Sequence, residues 1–217
     1  MKLLLKYVKA LVNLYEIVHK DKVIEIFNQQ NNKPIDRDTI NQFIQKNKER
    51  LWQKEDIAVE RDYFVSYAVK IENSLDEEIA ARKGMPFYVP DKKELLRYVH
   101  PLYYEFNQEV EDLFIFLRKK LGCSNFKTAD MLMNIHSYFR RRRYVEDFHY
   151  YLNEIIPMFK SEDQFIEFMG LVMAMADSIR MADYNGYKPC EMKGVKFDPK
   201  RDLIIEETKK LYEAFKE

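Results

Sequence analysis

The spacing of apolar residues constrains this chain more than any other feature. Leu4, Leu5, Val8, Leu11, Val12, Tyr15 and Val18 recur at steps of three and four, which predicts a helix with one buried stripe. A second helix is expected near Lys20–Gln30, with Val23, Ile24, Ile26 and Phe27 inward. The polar stretch 28–33 ends at Pro34, a break. Asp36 then reads as an N-cap for a third helix running to about Lys48 through Ile40, Phe43 and Ile44. Beyond Arg50 the period changes. Leu51-Trp52, Ile57-Ala58-Val59 and Tyr63-Phe64-Val65 are short β-prone pieces between charged residues and predict two or three small strands. Three helices followed by a small hairpin is the layout of a winged helix, expected over residues 1–70.

The rest of the sequence reads as helix almost throughout. A short helix opens at Asn73-Ser74, and the segment Gly84–Pro90 is extended because its two prolines bias the preceding residues away from helix. Asp91 and Glu94 form a capping-box-like pair. Further helices are expected at about 106–121, 127–139, 143–156, 161–183 and 201–216. The fold class expected is therefore mainly α: a winged-helix-like N-terminal module with a small β-hairpin, then an all-helical module over 71–217.

Composition excludes several functions. Lys+Arg and Asp+Glu both number 36, so the net charge is zero and a general nucleic-acid coat is disfavoured. Five glycines supply neither a dinucleotide-binding fingerprint nor a phosphate loop. Two cysteines cannot form a thiolate zinc cage, and no His pair has metal-ligand spacing, so neither metal nor cofactor is expected. The opening segment is interrupted by Lys2, Lys6, Lys9, Glu16 and Lys20. It lacks the apolar core of a signal peptide, and no stretch approaches the ~18 apolar residues of a membrane span. A cytoplasmic protein with no membrane partner is expected.

Two stretches, MPFYVPDKKELLRYVHPLYYE (85–105) and LVMAMADSIRMADYNGYKPCEM (171–192), together with LVNLYEIVHKDKVIEIFNQQN (11–31), resemble a family of uncharacterised bacterial proteins. The family is mostly helical, and many members end in a cysteine-rich SEC-C zinc-binding tail. The most specific matches are Tyr88–Leu95, Arg180, Asn185, Gly186, Pro189 and Glu191. Asp177, Ser178 and Ala182 depart from the family's usual Asn pair and Trp. No cysteine follows Met192, so zinc is not carried over. The resemblance implies a fold, not an activity.

Several groups are candidates for a site. Between Arg118 and Arg143 eight basic residues (Arg118, Lys119, Lys120, Lys127, Arg140, Arg141, Arg142 and Arg143) face one acid, Asp130, a local balance of +7. Gathered on one surface, they would hold an acidic partner or nucleic acid. As ordinary helix ends they would instead pair with nearby carboxylates. On the third helix, Arg37, Asn41, Gln42 and Gln45 have the chemistry to read base edges, although Asp36 and Asp38 sit where phosphate would approach. Arg180, Asn185, Gly186, Pro189 and Glu191 suit a structural turn; the alternative is a partner pocket made by Arg180, Tyr184, Asn185 and Tyr187. His136 and His149 flank the arginine run. The aromatic clusters 103–106 and 148–151 are expected to fill helix interfaces, with a binding groove as the alternative. The function expected is a non-enzymatic module that binds a protein partner, with nucleic-acid contact through the basic run. The alternatives are a sequence-specific DNA regulator acting through the third helix, and a hydrolase built on His136 or His149 and a carboxylate.

Overall fold

The computed structural model describes residues 2–141 and 147–192; Arg142, Arg143 and the helix expected at 201–216 lie outside the described residues. The described chain is mainly helical, with a small three-stranded antiparallel sheet, and forms two compact units. The first unit comprises 2–103 with 182–186, the second 104–181 with 187–192.

Helix α1 (Lys2–Tyr15) is the spine of the first unit. Its stripe Leu4, Tyr7, Val8, Leu11, Leu14 and Tyr15 is buried, and Ala10 and Val12 widen the covered arc. Burying each of the larger side chains contributes about 1.5–3 kcal/mol. The stripe was expected to continue to Val18, but the helix stops at Tyr15. Glu16 takes a left-handed conformation (φ 63°), and Ile17–His19 becomes strand β1. Val18 still points inward because the strand is buried on both faces at Ile17 and Val18.

His19 Nδ1 accepts from the Asp21 amide and caps α2 (Lys20–Gln30), which buries Val23, Ile26 and Phe27. Asn28 bonds both the N–H and the carbonyl of Ile35, each at 2.8 Å, and closes the connection around Pro34. Asp36 caps α3 (Arg37–Glu55) through the Thr39 amide at 2.8 Å. This helix is longer than expected: Leu51 and Trp52 form its last turns rather than a strand, because Leu51 continues the inward face of Ile40 and Phe43. Asp56 (φ 54°) ends it. Strands β2 (Ile57–Glu60) and β3 (Tyr63–Ser66) form the expected hairpin around Arg61-Asp62. The sheet order is β1-β3-β2, with Ile17 opposite Val65 and Ala58 opposite the same residue on the other side.

The unit does not end near residue 70. Ser66 closes β3 and caps α4 (Tyr67–Ile71); α5 (Leu75–Ala81) follows. After the extended 85–90 segment, Asp91 caps α6 (Lys92–Leu95), which tightens into a 3₁₀ turn, Leu96–Val99. Leu95 and Tyr98 complete the core around α1, and Asn13 Nδ2 donates to the Tyr98 carbonyl at 2.7 Å. That packing carries the first unit past the boundary expected from sequence.

The second unit contains α7 (Gln108–Lys119), α8 (Asn125–Arg140), α9 (Phe148–Ile155) and α10 (Glu162–Ser178). Asn107, Ser124 and Ser161 cap three of them, each accepting from the amide three residues on. Leu113, Phe116, Leu132, Ile135, Phe148, Leu152, Phe168 and Val172 form one core. Phe148 touches Tyr138, Phe139 and Tyr151, with ring centroids 4.9–6.0 Å apart. These rings are packing material. No helix among the described residues is long and apolar enough to cross a membrane.

Candidate functional site

Helix α3 presents Arg37, Asn41, Gln42 and Gln45 to solvent. Two of the four are already engaged. Arg37 grips Asp21 through Nε and Nη2 at 2.7 and 2.8 Å. That fork holds the Asp21 carboxyl below its ordinary range and raises the Arg37 guanidinium further above neutrality. Lys20 Nζ donates to Asn41 Oδ1 at 3.3 Å and to Asp62 Oδ1 at 3.1 Å. The two networks tie α2, α3 and the hairpin turn together. Gln42 and Gln45 bond no described side chain. Asp38, Gln42, Gln45 and Glu49 share one helix face by their spacing, so two carboxylates border the residues expected to meet nucleic acid.

Where the end of α3 meets α4, three apolar side chains lie open. Trp52 is 39 % exposed and stacks on Tyr67, the ring centroids 5.7 Å apart and the planes 23° from parallel. Tyr67 and Ile71, four apart on α4 and so on one face, are 51 % and 61 % exposed. Trp52, expected in a strand, stands on a helix, and no sequence expectation covers this patch. The signal available was the i, i+4 pair Tyr67/Ile71.

The described members of the basic run do not form one surface. Arg118, Lys119 and Lys120 end α7, and Lys127 stands in the first turn of α8. Arg140 ends α8, thirteen residues from Lys127 and therefore about 20 Å along the axis. Arg118 donates to the Cys123 carbonyl across the Gly122 turn. Lys120 pairs with Glu167 at 2.5 Å and Lys127 with Asp130 at 3.7 Å. Arg141, expected to bind a partner, is only 2 % exposed. A guanidinium so placed cannot present its charge at a surface. Arg142 and Arg143 lie outside the described residues.

Arg180, Asn185, Gly186, Pro189 and Glu191 are divided between the units. In the second, Arg180 donates to Glu105 Oε1 at 2.9 Å and to Glu191 Oε2 at 2.7 Å. Lys188 joins the cluster through Glu105 at 2.7 Å, and its amide donates to Glu191 at 3.1 Å. Pro189 opens the 3₁₀ turn that sets Glu191 in place. Asn185 and Gly186 belong to the first unit. Asn185 (φ 48°) donates from Nδ2 to the Met85 carbonyl at 3.2 Å and accepts the Tyr88 amide on its own carbonyl at 3.0 Å. Tyr15 donates its hydroxyl to the Tyr88 carbonyl at 2.6 Å. Nearby, Arg82 donates to the Tyr15 carbonyl at 2.6 Å, pairs with Glu78 and approaches Asp183 at 3.7 Å. Every one of these contacts holds backbone or balances charge.

His136 stacks on Tyr104, the centroids 4.9 Å apart, and burial pushes its pKa down to about 3, with Arg140 adding to the effect. Such an imidazole is a poor base at neutral pH. No cluster of His, Cys, Asp and Glu among the described residues has the arrangement of a metal centre. Compared with known protein families, curated proteins and solved structures, the chain matches none.

Proposed function

We propose that this protein is a non-enzymatic module that docks a protein partner through Trp52, Tyr67 and Ile71. The observation that carries this reading is the exposed stack of Trp52 on Tyr67. Large aromatic rings dominate binding energy at protein interfaces, because they desolvate much area while losing few rotamers. Stacking already holds both rings in place, so little further ordering is needed on association. The rim is polar: Lys48 and Glu49 precede Trp52 on α3, and Lys70 pairs with Glu60 beside Tyr67. The partner is a protein with an apolar anchor, met in the cytoplasm, where the two free thiols belong.

The test compares the wild-type chain with Trp52→Ala/Tyr67→Ala as bait, followed by titration of any captured protein. Both baits should fold alike, since the changed residues are exposed. The partner should bind the double variant at least about tenfold more weakly. Equal affinity for the two baits would show that Trp52 and Tyr67 do not form the docking surface.

A second reading has support of its own. The order α1-β1-α2-α3-β2-β3, with β3 central in the sheet, supports a winged-helix reading, in which α3 would enter the major groove. On that reading Arg37, Gln42 and Gln45 contact DNA, and binding requires Arg37 to exchange Asp21 for phosphate. Selection from random duplexes should then enrich one sequence and lose it on changing these three residues to Ala. Enrichment of nothing would end this reading.

A further inference from the structure

A groove of about 370 Å³ opens on the first unit between α1, α3 and the 3₁₀ turn, lined chiefly by Lys2, Leu5, Lys6, Lys9, Arg50 and Val99, with Asn47 and Glu55 completing the wall. Lys2, Lys6 and Lys9 reach it together because residues four and three apart share a helix face. Four cations thus meet one carboxylate in a protein whose net charge is zero. Glu55 is shared between Lys9 at 2.5 Å and Arg50 at 3.4 Å. Lys2 and Lys6 pair with no described residue. Four like charges gathered in a concavity repel one another, and a single carboxylate offsets only part of that repulsion.

We infer that this groove is a binding site for a small organic phosphate. Its volume is in the range of small-molecule sites rather than of a macromolecular surface. The cations fit the anion: Arg50 has the fork that matches phosphate oxygens, and the lysines add mobile charge. The groove lies along the first half of α1, whose first turn has no acidic residue and where the helix dipole is positive. Leu5, Val99 and the methylene stems of the lysines form an apolar wall for the organic part of the ligand. Glu55 keeps Lys9 and Arg50 ordered in the free protein and competes with the ligand for them. The inference is independent of the Trp52 surface.

Calorimetric titration of the full chain with AMP, inorganic phosphate and a short DNA duplex tests it. AMP should bind one to one and weaken as salt is raised, with inorganic phosphate weaker than AMP. Lys6→Glu should weaken AMP by about tenfold or more, while Lys33→Ala, an exposed cation elsewhere, should change nothing. Lys6 is exposed on α1, so its reversal leaves the core intact, and matching melting curves verify that. Glu55→Gln should strengthen AMP binding several-fold, which a merely structural carboxylate would not do. The inference is overturned if AMP fails to bind at millimolar concentration, or binds Lys6→Glu as it binds the wild type. Equal affinity for inorganic phosphate and AMP would refute the apolar wall. Binding of the duplex alone, lost in Lys6→Glu, would replace the small ligand with an extended polyanion.

Discussion

Gly186→Ala offers a stringent check on how the first unit is assembled. Gly186 has φ 84°, and a Cβ built there would lie 2.8 Å from Tyr15 Cε1, 3.3 Å from Cδ1 and 3.4 Å from Leu14 Cγ. Tyr15 cannot yield easily. It is fully buried, its ring meets Phe87 edge-on at 5.0 Å, and its hydroxyl is held by the Tyr88 carbonyl. The left-handed backbone costs an L residue about 1–2 kcal/mol. Overpacking against a fixed ring adds about 1–3 kcal/mol. The combined loss is about 2–5 kcal/mol, which lowers the melting temperature by roughly 10–20 °C for a unit of this size.

Gly84→Ala separates the two costs. Gly84 lies in the same unit with φ 78°, but a Cβ there meets nothing within 4 Å. It should lose only the backbone part, about 1–2 kcal/mol. Trp52, the sole tryptophan, lies in this unit, so its fluorescence during urea unfolding reports the relevant transition. The midpoint should fall in both variants with the slope unchanged, and farther in Gly186→Ala. If the two losses agree within about 0.5 kcal/mol, the close approach of residues 182–186 to α1 is not what stabilises this unit.

Two further outcomes follow from buried charge. Arg82→Met removes the guanidinium from a carboxylate, Glu78, that is 5 % exposed, and should cost about 3–5 kcal/mol. The double variant with Glu78→Gln should recover part of that loss in the same urea assay; a single-variant cost below ~1 kcal/mol would mean the pair is expendable. His136 binds its proton only near pH 3 in the fold but near 6.5 when unfolded, so unfolding takes up a proton between those values. Its contribution is complete above pH 6.5 and is lost as pH falls, at up to about 1.4 kcal/mol per pH unit. His136 lies in the second unit, so with unfolding followed by circular dichroism rather than Trp52 fluorescence, His136→Gln should flatten the fall in urea midpoint between pH 6.5 and 4, and parallel profiles would show that burial does not hold this imidazole neutral.

The sequence is most informative where the physics is local. The stripe from Leu4 to Tyr15 and the caps at Asp36 and Asp91 depend on near neighbours, and each stands as read. Strand β1 escaped because Val18 keeps a helical interval from Tyr15, while the left-handed turn at Glu16 is stabilised by a distant partner, the Ser66 amide donating to its carbonyl at 2.7 Å. The described part of the basic run is decided by packing for a similar reason. Of the two arrangements the sequence leaves open, adjacency in space fails for the described residues: α8 carries Lys127 and Arg140 to opposite ends, and Lys120 is neutralised by Glu167, forty-seven residues later. Charge density along a chain therefore predicts a surface only after the helix axis has been laid through it. The lysines of α1 illustrate the converse. Read as interruptions of an apolar run, Lys2, Lys6 and Lys9 already had the spacing of a single helix face, and only the placement of Arg50 on α3 turned that stripe into the wall of a groove.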